Sequence, residues 1–141
     1  MKLKRNIFIG VGIFGIILFV ALNTFSYFDL FSLCRIKIHS DVVSGNRATI
    51  KKALHLLKKS SYTDYSRACR SIDTISENDC MPGDPRVDPA FTSYRPEGCY
   101  IKGTKMMYID PIEENSSQII SKRAQLIAKF AKMSSDFWDH K

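Results

Sequence analysis

The chain has 141 residues, 45% of them hydrophobic, and 21 Lys and Arg against 14 Asp and Glu give a formal net charge of +7. That length suits one domain. The excess charge forms no basic block and no basic run interleaved with aromatics, so the composition argues against a nucleic-acid partner.

Lys2, Lys4 and Arg5 open the chain, and no charged residue follows until Asp29. Residues 7–22 are almost wholly apolar. About 20 helical residues, at ~1.5 Å each, cross a hydrocarbon core of roughly 30 Å. The pattern predicts a cytoplasmic tail over 1–5, a transmembrane anchor over 6–28 and an extracytoplasmic domain over 29–141, because basic residues before a span stay inside. Gly10, Gly12 and Gly15 are ordinary residues for a membrane helix. A cleaved signal peptide needs a shorter apolar core and a small-residue site, and Val20-Ala21-Leu22 and Thr24-Phe25-Ser26 fit that poorly. Phe31-Ser32-Leu33 before Cys34 does not suit a lipoprotein signal, and no acid enters the apolar run as in pilin-like signals.

Residues 27–33 read as aromatic and apolar residues at a membrane interface. Arg35-Ile36-Lys37-Ile38-His39 alternates, which predicts a short strand with Ile36 and Ile38 inward and His39 on the surface. Asn46 is placed to cap a helix whose apolar face is Ile50, Ala53, Leu54 and Leu57. Lys51, Lys52, His55, Lys58 and Lys59 form its solvated face. Thr63 is the expected cap of a second, short helix with Tyr65, Ala68 and Cys69 inward, and Ile72 and Ile75 mark a core strand. Pro82, Pro85, Pro89 and Pro96 then exclude helix over 77–98.

Tyr100-Ile101-Lys102 and Met106-Met107-Tyr108-Ile109 predict a hairpin around Lys102-Gly103-Thr104-Lys105. A wide apolar stripe over 116–138 predicts a long helix covering it. Arg123 interrupts that stripe; it is expected to snorkel to the surface, with a buried partner such as Asp73 as the alternative. The whole reads as an α+β domain, a small antiparallel sheet packed with helices and stapled by disulfides. The four cysteines of an exported domain are expected to be oxidised. Three connectivities are open; the expected one joins Cys80 to Cys99 and Cys34 to Cys69.

The order helix, strand at Ile72-Asp73-Thr74-Ile75, loop, Gly98-Cys99-Tyr100 hairpin and long helix resembles the minimal core of zincin-like metallopeptidases. That resemblance would place His-Glu-x-x-His on the last helix, where Ser117–Lys129 has neither His nor Glu. The chain also resembles small membrane-anchored bacterial domains of unknown function with a Gly-Cys-Tyr hairpin and a helix ending in Phe-Trp. No serine-triad elbow, phosphate loop or Cys-x-x-Cys is present, so no cofactor, metal or catalytic residue is expected. The function expected is a membrane-anchored, extracytoplasmic, non-catalytic binding or accessory module on a degenerate zincin-like scaffold. Its candidate binding surface combines Tyr94, Arg95, Lys102 and Arg123, and its expected partner is a cell-envelope protein or an anionic surface ligand. Two other readings stand beside it: a cell-envelope hydrolase using loop carboxylates or a partner-supplied metal, and a pilin-like or envelope-assembly subunit.

Overall fold

The computed structural model describes residues 15, 26–40, 45–78, 98–101 and 103–139. Five strands form one mixed sheet: β1 (Ser26–Asp29), β2 (Cys34–His39), β3 (Thr74–Glu77), β4 (Gly98–Tyr100) and β5 (Met106–Ile109), in the order β1-β2-β3-β5-β4. Among the described residues of 26–139, three helices, α1 (Arg47–Ser60), α2 (Tyr62–Ser71) and α3 (Ser117–Asp139), pack with this sheet in an α+β arrangement.

The expected antiparallel sheet is corrected. Strands β2, β3 and β5 run parallel, and only the edge strands β1 and β4 are antiparallel to their neighbours. The cause is the connection between β2 and β3. Two helices lie between these strands, and such a crossover returns the chain in the direction it left. The hairpin expected around Gly103 is present as β4 and β5. Its turn uses the positive φ of 79° at Gly103, a conformation that costs glycine little. Gly98 is required for a different reason: a Cβ there would stand 2.2 Å from the Tyr108 carbonyl oxygen.

Alternation sets the layers. In β2, Cys34, Ile36 and Ile38 are buried while Arg35, Lys37 and His39 are exposed. The register carries the buried set across the sheet, through Ile75 to Met107 and Tyr100. Ile50, Ala53, Leu54 and Leu57 of α1, Tyr65 and Ala68 of α2, and Ala124, Ile127, Phe130 and Ala131 of α3 close over that face. Helix α3 packs along both α1 and α2, and it covers the hairpin by stacking Phe130 on Tyr100 with ring centroids 6.5 Å apart.

The other expectations separate here. Among the described residues no helix is long and apolar enough to cross a membrane. The transmembrane helix of the expected fold is therefore not part of the described architecture; residue 15 apart, positions 6–25 lie outside the described residues. Of the residues expected in the anchor, Ser26–Phe28 belong to strand β1 (Ser26–Asp29), and Tyr27 is 3% exposed in the core. Asn46 precedes α1 without a side-chain cap; its side-chain Nδ2 donates to the Glu113 carbonyl instead. Helix α2 is capped by Ser61, not Thr63, with the Ser61 hydroxyl accepting from the Asp64 amide.

Candidate functional site

Two strand-ending carboxylates organise the polar chemistry of the domain. Both lie on the helix-covered face, at opposite ends of the sheet.

Glu77 ends β3. The strand alternation that buries Ile75 also turns Glu77 inward, so a charge enters the core and needs partners. Arg123 of α3 supplies them: its Nη1 donates to Glu77 Oε1 at 2.7 Å, and the two side chains are 3% and 0% exposed. Nη1 also donates to Thr49 Oγ1 and Nη2 to the Asp110 carbonyl at 3.1 Å. The Asn46 backbone N–H donates to Glu77 Oε1 at 2.9 Å, and the Ser40 hydroxyl donates to Oε2. This one cluster ties β3, the start of α1, the end of β5 and α3 together. Arg123 therefore does not snorkel, and the acid it meets is Glu77; Asp73 is exposed. The Arg123 guanidinium, 3% exposed, is engaged by Glu77, Thr49 and the Asp110 carbonyl. Arg123 also lines a solvent-open cleft of about 340 Å³, together with Ile109, Ile112, Ile119 and Leu126 and the polar Glu114, Ser116, Gln118 and Lys122.

Asp29 ends β1. Its carboxylate accepts from Lys58 Nζ of α1 and from the Tyr65 hydroxyl of α2 at 2.6 Å. Tyr65 thus offers its oxygen to Tyr27, 3.1 Å away, as acceptor. Burial raises the Asp29 pKa, but the hydrogen bonds from Lys58, Tyr65 and Ser32 outweigh it and hold the carboxyl well below the usual carboxylate range. Burial, and then donation to Asp29, push the Tyr65 hydroxyl above the ordinary phenol value. His55 sets its ring edge-on to Tyr27 at 5.3 Å. One residue beyond the turn, Cys34 is bonded to Cys69 of α2.

This second network anchors the base of the β1–β2 turn, Leu30-Phe31-Ser32-Leu33. The turn lacks the Gly, Asn or Pro that such a connection prefers. Leu33 takes a positive φ of 49°, and the Phe31 amide donates to Asp29 Oδ1 at 3.2 Å. Its apolar side chains are not used by the fold. Leu30 is 66% exposed, Phe31 96% and Leu33 83%, and Phe28 beside them is 42% exposed. The sequence reading of 27–33 as one interfacial run is thereby divided: Tyr27 belongs to the core, and the turn projects.

Tyr94, Arg95 and Lys102 lie outside the described residues, as does Cys80. Cys99 is disulfide-bonded. Strand β4, which carries Cys99, lies at the sheet edge with β5 between it and β3. Among the described residues no three His, Cys, Asp or Glu side chains gather as a metal site. Sequence reading missed Glu77 and the turn. An arginine inside an apolar helix stripe signals a buried acid, and a turn without turn residues signals a second use for its side chains.

Compared with known proteins, the chain matches no family model, no curated protein and no solved structure.

Proposed function

We propose that the protein is a non-catalytic accessory module, folded outside the cytoplasm, that docks through the tip of its β1–β2 hairpin. The observation that carries this reading is the tip itself: three large apolar side chains, 66 to 96% exposed, on a turn held by a disulfide and a buried carboxylate network. Exposed apolar side chains grouped at one place mark interaction sites. Restraining the tip before binding reduces the entropy lost on docking. The Cys34–Cys69 bond supports folding in an oxidising compartment, where such bonds persist. The polar clusters serve structure in this reading, because Glu77 and Arg123 are consumed by each other and Asp29 by Lys58 and Tyr65.

The test is a photo-crosslinking residue at position 31 in the full chain in cells, with the same probe at the exposed Lys129 of α3 as control. Crosslinking to a membrane lipid or to one protein species from position 31 alone is the expected result. No adduct from position 31, or equal adducts from both positions, would remove the docking role.

A further inference from the structure

We infer that the surface on which the tip docks is a lipid bilayer, with Phe31, Leu30 and Leu33 inserted among the headgroups and Phe28 lying along the surface. The inference rests on the docking reading and adds the chemistry of the partner.

Three observations point to lipid. The first is the composition of the end of the domain that carries the tip. Strands β2, β3 and β5 are parallel, so the turn before β2 shares an end of the sheet with the starts of β3 and β5. At that end, beyond Leu30, Phe31 and Leu33, stand Tyr62, 61% exposed, and Trp138, 43% exposed. Tyr62 is placed there by its ring contact with Tyr65, which reaches Asp29. Trp138 is placed there with Arg70, Ser71 and Lys105, which precede β3 and β5. Projecting Leu and Phe with exposed Tyr and Trp at the same end of the sheet match the layering of a membrane interface, where the amphipathic rings sit at headgroup depth.

The second observation is the cations beside the tip. Lys59 stands in the last turn of α1 beside the Asp29-paired Lys58, and Arg35 is exposed on β2 opposite Phe28. Long basic side chains beside an inserting apolar group reach headgroup phosphates while their stems lie along hydrocarbon. The acid at the base of the turn, Asp29, is neutralised by Lys58 and hydrogen-bonded by Tyr65; Asp73 and Asp139 lie farther along the same end, near the cations Arg70 and Lys105.

The third is where the chain enters. Positions 6–25 carry no charge, and 7–22 are almost wholly apolar. They join β1 at Ser26, and a four-residue strand at ~3.3 Å per residue places that junction roughly 13 Å from the turn. An uncharged, largely apolar stretch of sequence thus enters β1 within about 13 Å of the tip. A protein groove would satisfy the exposed side chains as well, but it would not call for the exposed Tyr62 and Trp138 at the same end or for the cations beside the tip.

The experiment places a single tryptophan at the tip by Phe31→Trp in a Trp138→Phe background, in the full chain reconstituted into phosphatidylcholine–phosphatidylglycerol vesicles. Leu30→Trp provides a second placement should the first disturb folding, and Gln118→Trp, at the opposite end of α3, is the control. The expected result is a blue-shifted emission for both tip placements and a loss of that emission with lipids brominated on the acyl chain, with neither effect for Gln118→Trp. Water-like emission from both tip positions in vesicle-bound chain would overturn the inference. So would a blue shift that brominated lipid does not quench, the signature of a second copy or a protein covering the tip. Either result leaves the docking reading to the crosslinking experiment, where a protein adduct from position 31 would keep docking and reject lipid.

Discussion

Glu77 and Asp29 make an instructive pair. Each ends a strand, each faces the helices, and each is met by a cation from a helix. They differ in what surrounds them. Glu77 and Arg123 are sealed, and their hydrogen bonds reach segments far apart in sequence. Asp29 is 9% exposed and its partner Lys58 is 32% exposed, and their bonds hold one turn. A planar guanidinium with several fixed donors suits the first task, and a flexible ammonium at the surface suits the second. The same device thus welds the fold at one end and presents a tip at the other.

That contrast fixes an order of effects. Arg123→Leu is the most damaging single change, because it leaves Glu77 buried without its counter-charge; a loss of about 3–5 kcal/mol is expected in chemical denaturation. The double replacement Arg123→Leu with Glu77→Leu should cost less than the sum of the two, and full additivity would show that the two residues do not act as a unit.

Next comes the staple. Cys34→Ser with Cys69→Ser opens a link between residues 35 apart in sequence and should cost about 2–4 kcal/mol, read as a lower thermal midpoint. A midpoint unchanged from the oxidised parent would show that the bond contributes little to the fold.

Asp29→Asn should cost about 1.5–3 kcal/mol, the range for hydrogen bonds to a charged group. Its pH dependence has a definite sign. The folded-state pKa of Asp29 is depressed below its ordinary value of 3.8, so the unfolded chain takes up the proton first. The contribution is complete above about pH 4–5 and fades as pH falls toward the folded value. The gap between parent and Asp29→Asn in urea midpoints should therefore narrow below pH 4. A gap that widens on acidification would contradict the assignment.

Leu33→Gly is expected to have a small effect of the opposite sign, a gain of at most about 1 kcal/mol from relieving a positive φ, offset by the greater freedom of glycine when unfolded.

How much of this could be read from the chain follows the same division. The period-two pattern of Ile36 and Ile38 and the helical spacing of Ile50, Ala53, Leu54 and Leu57 are local, and they place β2 and α1 directly. The Gly103 hairpin and α3 are local too. Strand direction is not. Nothing within Thr74–Glu77 states that its neighbours are β2 and β5 in parallel, since that follows from how two helices and an edge strand return the chain. The same limit hid Glu77 as the partner of Arg123, because the two meet only after four segments converge. The tip was legible as apolar, but its separation from the buried Tyr27 depended on where β1 begins.

The most direct measurement compares crosslinking from position 30 in the parent and in Phe31→Ser, with thermal unfolding followed on the same samples. Phe31 is 96% exposed, so its loss should change stability by no more than about 0.5 kcal/mol while the crosslink from position 30 is largely lost. An unchanged crosslink in the folded variant, or unfolding that accounts for its loss, would contradict a tip reserved for docking.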